Sequence, residues 1–395
     1  MTLPLSDVTV LDFGQIFQGS YATVLMAKGG ANVIKIEPPG GEPLRKRTPP
    51  GKLSTMSFAM LNANKRAITL NLKTDRGKAL LFEMVKRADV VLENFGPGAM
   101  DRLGVGWEVL HALNPRLIYA SGTGFGLSGP SRDNLAMDLT VQAASGIMSV
   151  TGFPDGPPVR AGVTVADFMG GTHLYAGILT ALYERDRSGE GRLVEIAMQE
   201  AVYYTLAGSL EQYNRTGKIP KRSGNGGNGA ISPYGVYPAK DGFVAIHTGT
   251  EGHWHNILDA AGKPELKDEP RYRTMHDRSA RADEINAIVA AWTGGLTKAE
   301  AVSQAQKHRI PLAPVRDVSE VMVDEHMHGR GALEWVDHPD LGRVVMPTTP
   351  LRLHGLDVAA MAPSPRVGQH NDEIYGGWLG LSAAEVESLR NDGVI

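Results

Sequence analysis

Apolar positions in the first 121 residues follow two alternating patterns. Short runs rich in β-branched residues occur at Val8–Phe13, Ala31–Glu37, Ala67–Leu72, Asp89–Phe95 and Leu117–Ser121. Between most of them lie Tyr21–Lys28, Asp75–Arg87 and Trp107–Leu113, which read as helices. Strands alternating with helices predict an α/β fold with a mainly parallel sheet covered on both faces. VTVLDF, NVIKIE and DVVLENF are apolar enough to be strands buried on both sides.

The pattern changes further along. Gly162–Ala166 reads as a strand leading to Asp167, with Gly170-Gly171 behind it and a helix running to about Arg185. Lys221–Gly229 (KRSGNGGNG) is glycine-dense and polar, hence a loop. Residues 235–249 (GVYPAKDGFVAIHTG) predict a hairpin turning at Lys240-Asp241-Gly242. Helices at His253–Ala261, Arg281–Trp292 and Thr297–His308 make this stretch a smaller α+β unit. Short strands return at Arg343–Met346 and Leu351–Leu353, and Ala383–Asn391 forms a closing helix. Domain boundaries are expected near 205–230 and 325–350.

Composition then narrows the chemistry. The formal net charge of the 395 residues is -3, which provides no positive field for nucleic acid or an anionic membrane. A phosphorylated ligand needs a local basic pocket. The absence of cysteine excludes disulfides, thiolate catalysis and cysteine metal sites. No run reaches the ~18 apolar residues of a membrane span, and Met1–Phe13 lacks the pattern of a signal peptide. A cytoplasmic protein is expected.

Several motifs mislead. Gly124-Phe-Gly126-Leu-Ser-Gly129 matches a dinucleotide fingerprint, the basis for an alternative NAD-dependent dehydrogenase reading. However, Pro130 and Ser131-Arg132-Asp133 follow where a helix should already run. His253/His255 and His326/His328 have i, i+2 spacing, which points to different faces of a helix, so no metal site is expected. There is no nucleophile elbow and no P-loop. The carboxylate of interest is Asp167, placed before glycines and a helix. Free backbone N–H groups there suit an N-cap aspartate, or a nucleophilic carboxylate with oxyanion donors beside it. Lys65-Arg66, Lys73 and Arg102 are solvated surface charges or phosphate ligands. Gly224–Gly229 is a linker or a lid.

Taken together, the motifs resemble the family III CoA-transferases over nearly the whole chain. The residues that carry the resemblance are Pro4–Phe13, Gly30–Glu37, Asn64-Lys-Arg66, Leu70-Asn-Leu-Lys73, Glu93-Asn-Phe-Gly-Pro-Gly98 with Arg102, Asp167, Gly189–Arg192, Ala197-Met-Gln199 and Gly368-Gln-His370. The resemblance implies a Rossmann-like large domain over 1–205 and 335–395. A linker with the glycine loop (206–229), a small domain (230–325) and a second linker (326–334) complete a ring-like subunit, and two such rings form an interlocked homodimer. It implies CoA contacts at Gln18, Leu70, Lys73, Asn94, Phe95, Arg102 and Met198, and a glycine loop over the site that includes Gly224, Gly226 and Gly227. Asp167 would carry an anhydride and then a CoA thioester. The partners are an acyl-CoA and a small carboxylic acid, with CoA a carried substrate and no permanent cofactor. The sequence departs from the family pattern at Pro38, where relatives place an arginine, at Ser57, in place of a pocket aromatic, and at Met137, in place of His or Tyr. The departure at Pro38 bears on how the CoA phosphates are held, and those at Ser57 and Met137 suggest an acceptor unlike oxalate. The alternatives are an α-methylacyl-CoA racemase on the same fold and a CoA-binding protein without catalysis.

Overall fold

A computed structural model describes residues 3–50, 54–227 and 231–395. The chain divides into two compact units, one of residues 1–146, 161–207 and 325–395, the other of residues 147–160 and 208–324.

The larger unit is built on β1 (Thr9–Asp12), α1 (Gln18–Lys28), β2 (Asn32–Glu37), α2 (Met56–Asn62), β3 (Arg66–Thr69), α3 (Asp75–Val85), β4 (Val90–Glu93), α4 (Ala99–Arg102), α5 (Trp107–Leu113), β5 (Ile118–Thr123) and α6 (Asp138–Ala144). The short α7 (Ile147–Val150) belongs to the smaller unit. The larger unit resumes with α8 (Val165–Ser188), β6 (Leu193–Ala197) and α9 (Met198–Tyr203). All six strands are parallel, in the order β3-β2-β1-β4-β5-β6.

Alternate side chains of each strand enter opposite cores. Leu11, Ile34, Ile68 and Val91 pack with α3 and the C-terminal helix Ala383–Asn391. Val10, Val33, Val90 and Ile118 pack with Ala22 and Met26 of α1 and Leu174 and Ile178 of α8. Burial on both faces explains the near-continuous apolar runs in the sequence. The order reverses between β1 and β4, and clefts form beyond the strand ends at such a switch point.

Two strands expected from sequence do not form. Gly162–Thr164 has no sheet neighbour; Val163 is exposed and the helix begins at Val165. Its β-branched residues have the right propensity but no ladder to join. Leu351–Leu353 is likewise exposed coil. Gly342–Pro347 (β11) pairs instead with Leu333–His338 (β10), a strand the sequence reading did not single out.

In the smaller unit, β7 (Tyr234–Ala239) and β8 (Gly242–His247) form the expected hairpin, and β9 (Leu312–Pro314) adds to β8. Their core includes Trp254, Ile257, Ile285 and Val289 from the covering helices. Among the described residues no helix is long and apolar enough to cross a membrane.

Candidate active site

The site is built at the switch point. The turn from β1 to α1 is held by a buried ionic cluster. Asp12 Oδ1 accepts from Gly14 N (2.7 Å), and its Oδ2 accepts from Thr23 Oγ1 (2.8 Å) and Lys65 Nζ (2.9 Å). Lys65 also donates to Asn62 Oδ1 (3.0 Å), and Lys35 donates to Gly14 O (2.7 Å). Lys65 is 4% exposed. It is therefore neither a phosphate ligand nor a solvated charge, because its ammonium is enclosed by acceptors within the protein. Burial pulls Lys65 down to about 8, against the attraction of Asp12. Arg66 is taken up by Glu373 and Asn32.

Across the switch point, Asn94 follows β4. Its Oδ1 accepts from Gln15 N (2.7 Å) and its Nδ2 donates to Gln15 O (3.0 Å). The side-chain amide thus pairs with backbone where the strands have ended, and fixes the start of α1.

Gln18, the first residue of α1, is 2% exposed, yet its Nε2 has no hydrogen-bond partner. The amide lies between two glycines. A Cβ on Gly122, in β5, would stand 3.0 Å from it, and a Cβ on Gly170, in α8, 2.9 Å from it. At Gly171 a Cβ would meet Gln18 O at 2.6 Å. Glycine at these positions lets α8 lie directly on the start of α1. A buried unpaired amide costs about 1–3 kcal/mol, which makes it a donor waiting for an acceptor.

Asp167 occupies the first turn of α8, with Thr164 as the N-cap. It is thus not the cap residue, and among the described residues its carboxylate makes no hydrogen bond or ion pair. Burial pushes its pKa up to about 7; the nearby Asp138 carboxylate adds to this and Arg47 opposes it. Asp138 is itself held by Gln142 Nε2 at 2.9 and 3.1 Å and accepts from Ala166 N at 3.4 Å. Gln142 Oε1 accepts from Ala161 N (2.9 Å). The segment leading into Asp167 is therefore tied to α6.

These groups open into one cleft of about 510 Å³. Gln18, Asn94, Phe95, Arg102 and Met198 line it together with Asp167, as do Met137 and Arg132. Helices α1, α8 and α9 all begin at this cleft, which suits anionic groups. Two of the expected contact residues are elsewhere. Leu70 is buried in the core, and Lys73 is exposed beyond β3. Gly224, Gly226 and Gly227 line a cavity of about 810 Å³ in the smaller unit, with His247 and Leu312; Gly229 lies outside the described residues. The Gly124–Gly129 stretch runs as bends and coil, and the next helix starts only at Asp138. Arg47 carries no sequence signal as a site residue, since only the fold brings its charge to bear on Asp167.

Comparison with known proteins identifies the family. The sequence model of CoA-transferase family III matches residues 5–371. The formyl-CoA:oxalate CoA-transferase of Streptomyces avermitilis is 38% identical over 413 residues, covering 100% of both chains. The succinyl-CoA–D-citramalate CoA-transferase of Chloroflexus aurantiacus is 36% identical, covering 99% of this chain and 98% of its own. A solved CAIB/BAIF family protein from Brucella suis superposes with a TM-score of 0.85 at 32% identity, covering 95% of this chain and 100% of that one.

Proposed function

The chain belongs to CoA-transferase family III, and from that premise we propose that it moves CoA from an acyl-CoA thioester to a free carboxylic acid, with Asp167 as the nucleophile. The observation that carries this reading is the Asp167 carboxylate, which lines the cleft without a partner, one helical turn before the glycine that packs on the Gln18 amide.

An Asp167 oxygen attacks the thioester carbonyl carbon. The C–S bond breaks and CoA leaves as the thiolate, giving a mixed anhydride. The thiolate attacks the aspartyl carbonyl and expels the donor carboxylate, leaving an aspartyl-CoA thioester. The acceptor carboxylate attacks that thioester, and the released thiolate takes the acyl group from the second anhydride, which restores Asp167. The thioester's energy is kept throughout, so no ATP is required. Gln18 Nε2 donates to the oxyanion that develops at each attack. Arg102 and Arg132 give the cleft a cationic side for the CoA phosphates. CoA is a carried substrate and no resident cofactor takes part.

The same reading includes an interlocked, cytoplasmic homodimer and a glycine loop at Gly224, Gly226 and Gly227 that closes on the acyl group. Methionine at position 137 cannot exchange a proton, which argues against racemisation. The test is an acyl-CoA incubated with a panel of carboxylic acids and analysed by mass spectrometry. New CoA thioesters in the wild type and none in Asp167→Ala are expected. Equal transfer by both proteins contradicts the assignment.

A further inference from the structure

The chain leading to Gln18 is strained. Ile16 has a left-handed backbone, with φ at 59°. Among the described residues only Asn64 and Arg309 share this without being glycine. Asparagine tolerates the conformation, and Arg309 closes the helix Lys298–His308. A β-branched side chain fits it worst, because its branches crowd the neighbouring carbonyl. Such strain persists only where surrounding groups hold it, and it gathers at functional sites.

Here the holding groups can be named. Asp12 and Lys35 take the N–H and C=O of Gly14, and Asn94 takes both groups of Gln15. At Ile16 the N–H donates to Glu42 Oε2 (3.3 Å), which also accepts from Leu44 N (3.2 Å). Glu42 lies in the loop after β2, is buried, and sets its other oxygen 3.7 Å from the Lys35 ammonium. Its own N–H donates to Glu37 Oε2 at 3.0 Å, and Arg45 binds that carboxylate through two bonds of 2.7 Å. The Ile16 side chain packs against Leu44, Phe58 and Leu61. Beyond the turn the next two residues diverge. Phe17 joins that apolar cluster with Tyr21 and Phe168, and the Gln18 amide enters the space between Gly122 and Gly170.

On the transferase reading, we propose that Glu42 is a positioning residue: by holding Ile16 in the left-handed turn, it aims the Gln18 amide at the reacting carbonyl. Glu42 itself does not line the cleft. Buried ionic groups add little to stability on balance, so this network is better explained by the precision it gives the turn. An isoleucine released by Glu42 relaxes to negative φ. That redirects the chain entering α1 and carries the amide off its line.

The experiment is CoA transfer from acetyl-CoA, to a carboxylic acid that the wild type accepts, by Glu42→Gln. In this variant the Lys35 ammonium attracts the amide oxygen. The amide NH₂ is then turned toward the Ile16 and Leu44 N–H groups, donor against donor, and the hold is lost. Lys35 keeps its bond to Gly14 O. The kcat should fall at least ~10-fold, with KM for the acyl-CoA within about 3-fold of the wild type. Adding Ile16→Gly should restore most of the kcat, because glycine keeps a left-handed turn without being held. An unchanged kcat in Glu42→Gln, or a loss that Ile16→Gly does not restore, overturns the proposal and makes Glu42 a structural partner of Lys35. If Glu42→Gln does not fold, Glu42→Asp, which keeps the charge but draws it back from Ile16, is read in the same way. If the wild type transfers CoA to no acid, the transferase reading falls, and the crystal structure of the variant decides on Glu42. A negative φ at Ile16 with the Gln18 amide displaced supports its role, and an unchanged turn refutes it.

Discussion

The Cα of Gly170 lies against the side-chain amide of Gln18, so close that a Cβ there would come within 2.9 Å of Nε2 and 2.9 Å of Met198 Cγ. Gly170→Ala therefore sets two effects against each other. Alanine favours the helix by about 1 kcal/mol, and overpacking costs about 1–3 kcal/mol. Thermal stability should change little, while displacement of the amide lowers kcat at least ~10-fold. An unchanged kcat would show that the amide's position is not critical.

Gln18→Ala removes a buried donor that has no partner in the free protein. The melting temperature should hold or rise. Turnover should fall about 10²–10³-fold, as on loss of one oxyanion donor. A clear loss of stability together with normal turnover would make Gln18 a structural residue.

Much of this arrangement is legible in the sequence. The runs around Val10, Ile34 and Val91 identify a sheet buried on both faces, and the glycines after Asp167 mark close approach. The strand at Gly162–Ala166 was misread because propensity is local and pairing is not. Lys65 resembles a surface cation in sequence, and only the convergence of Asp12, Thr23 and Asn62 around it shows otherwise. Arg47 stands in a polar run beside Arg45, and nothing local distinguishes the anchored residue from the free one.

The pH dependence follows from Asp167. Only the ionised carboxylate attacks, so kcat/KM should rise with pH, reach half its maximum near 7 and level off above it. The folded pKa lies above the unfolded one. The protonated form therefore contributes stability fully below the ordinary aspartate range, and this is lost as pH rises through about 7. Asp167→Asn should be more stable than the wild type at pH 8, by up to about 4 kcal/mol for a carboxyl raised from 3.8 to about 7, with the gain shrinking toward pH 4. An equal gain at both pH values would contradict the raised pKa.

If two rings are threaded through each other, subunits cannot exchange without partial unfolding. Differently tagged dimers mixed under native conditions should remain unmixed for days. Rapid appearance of mixed dimers, or a monomer in light scattering, would contradict the interlocked assembly.

The central claim is that the Asp167 carboxylate becomes covalently activated during turnover. Hydroxylamine added with an acyl-CoA should intercept the anhydride or thioester and convert this side chain to a hydroxamate, with loss of activity in step. Peptide mapping by mass spectrometry should place the modification on Asp167 and show none without acyl-CoA. Continued CoA transfer in hydroxylamine with Asp167 unmodified would contradict the account.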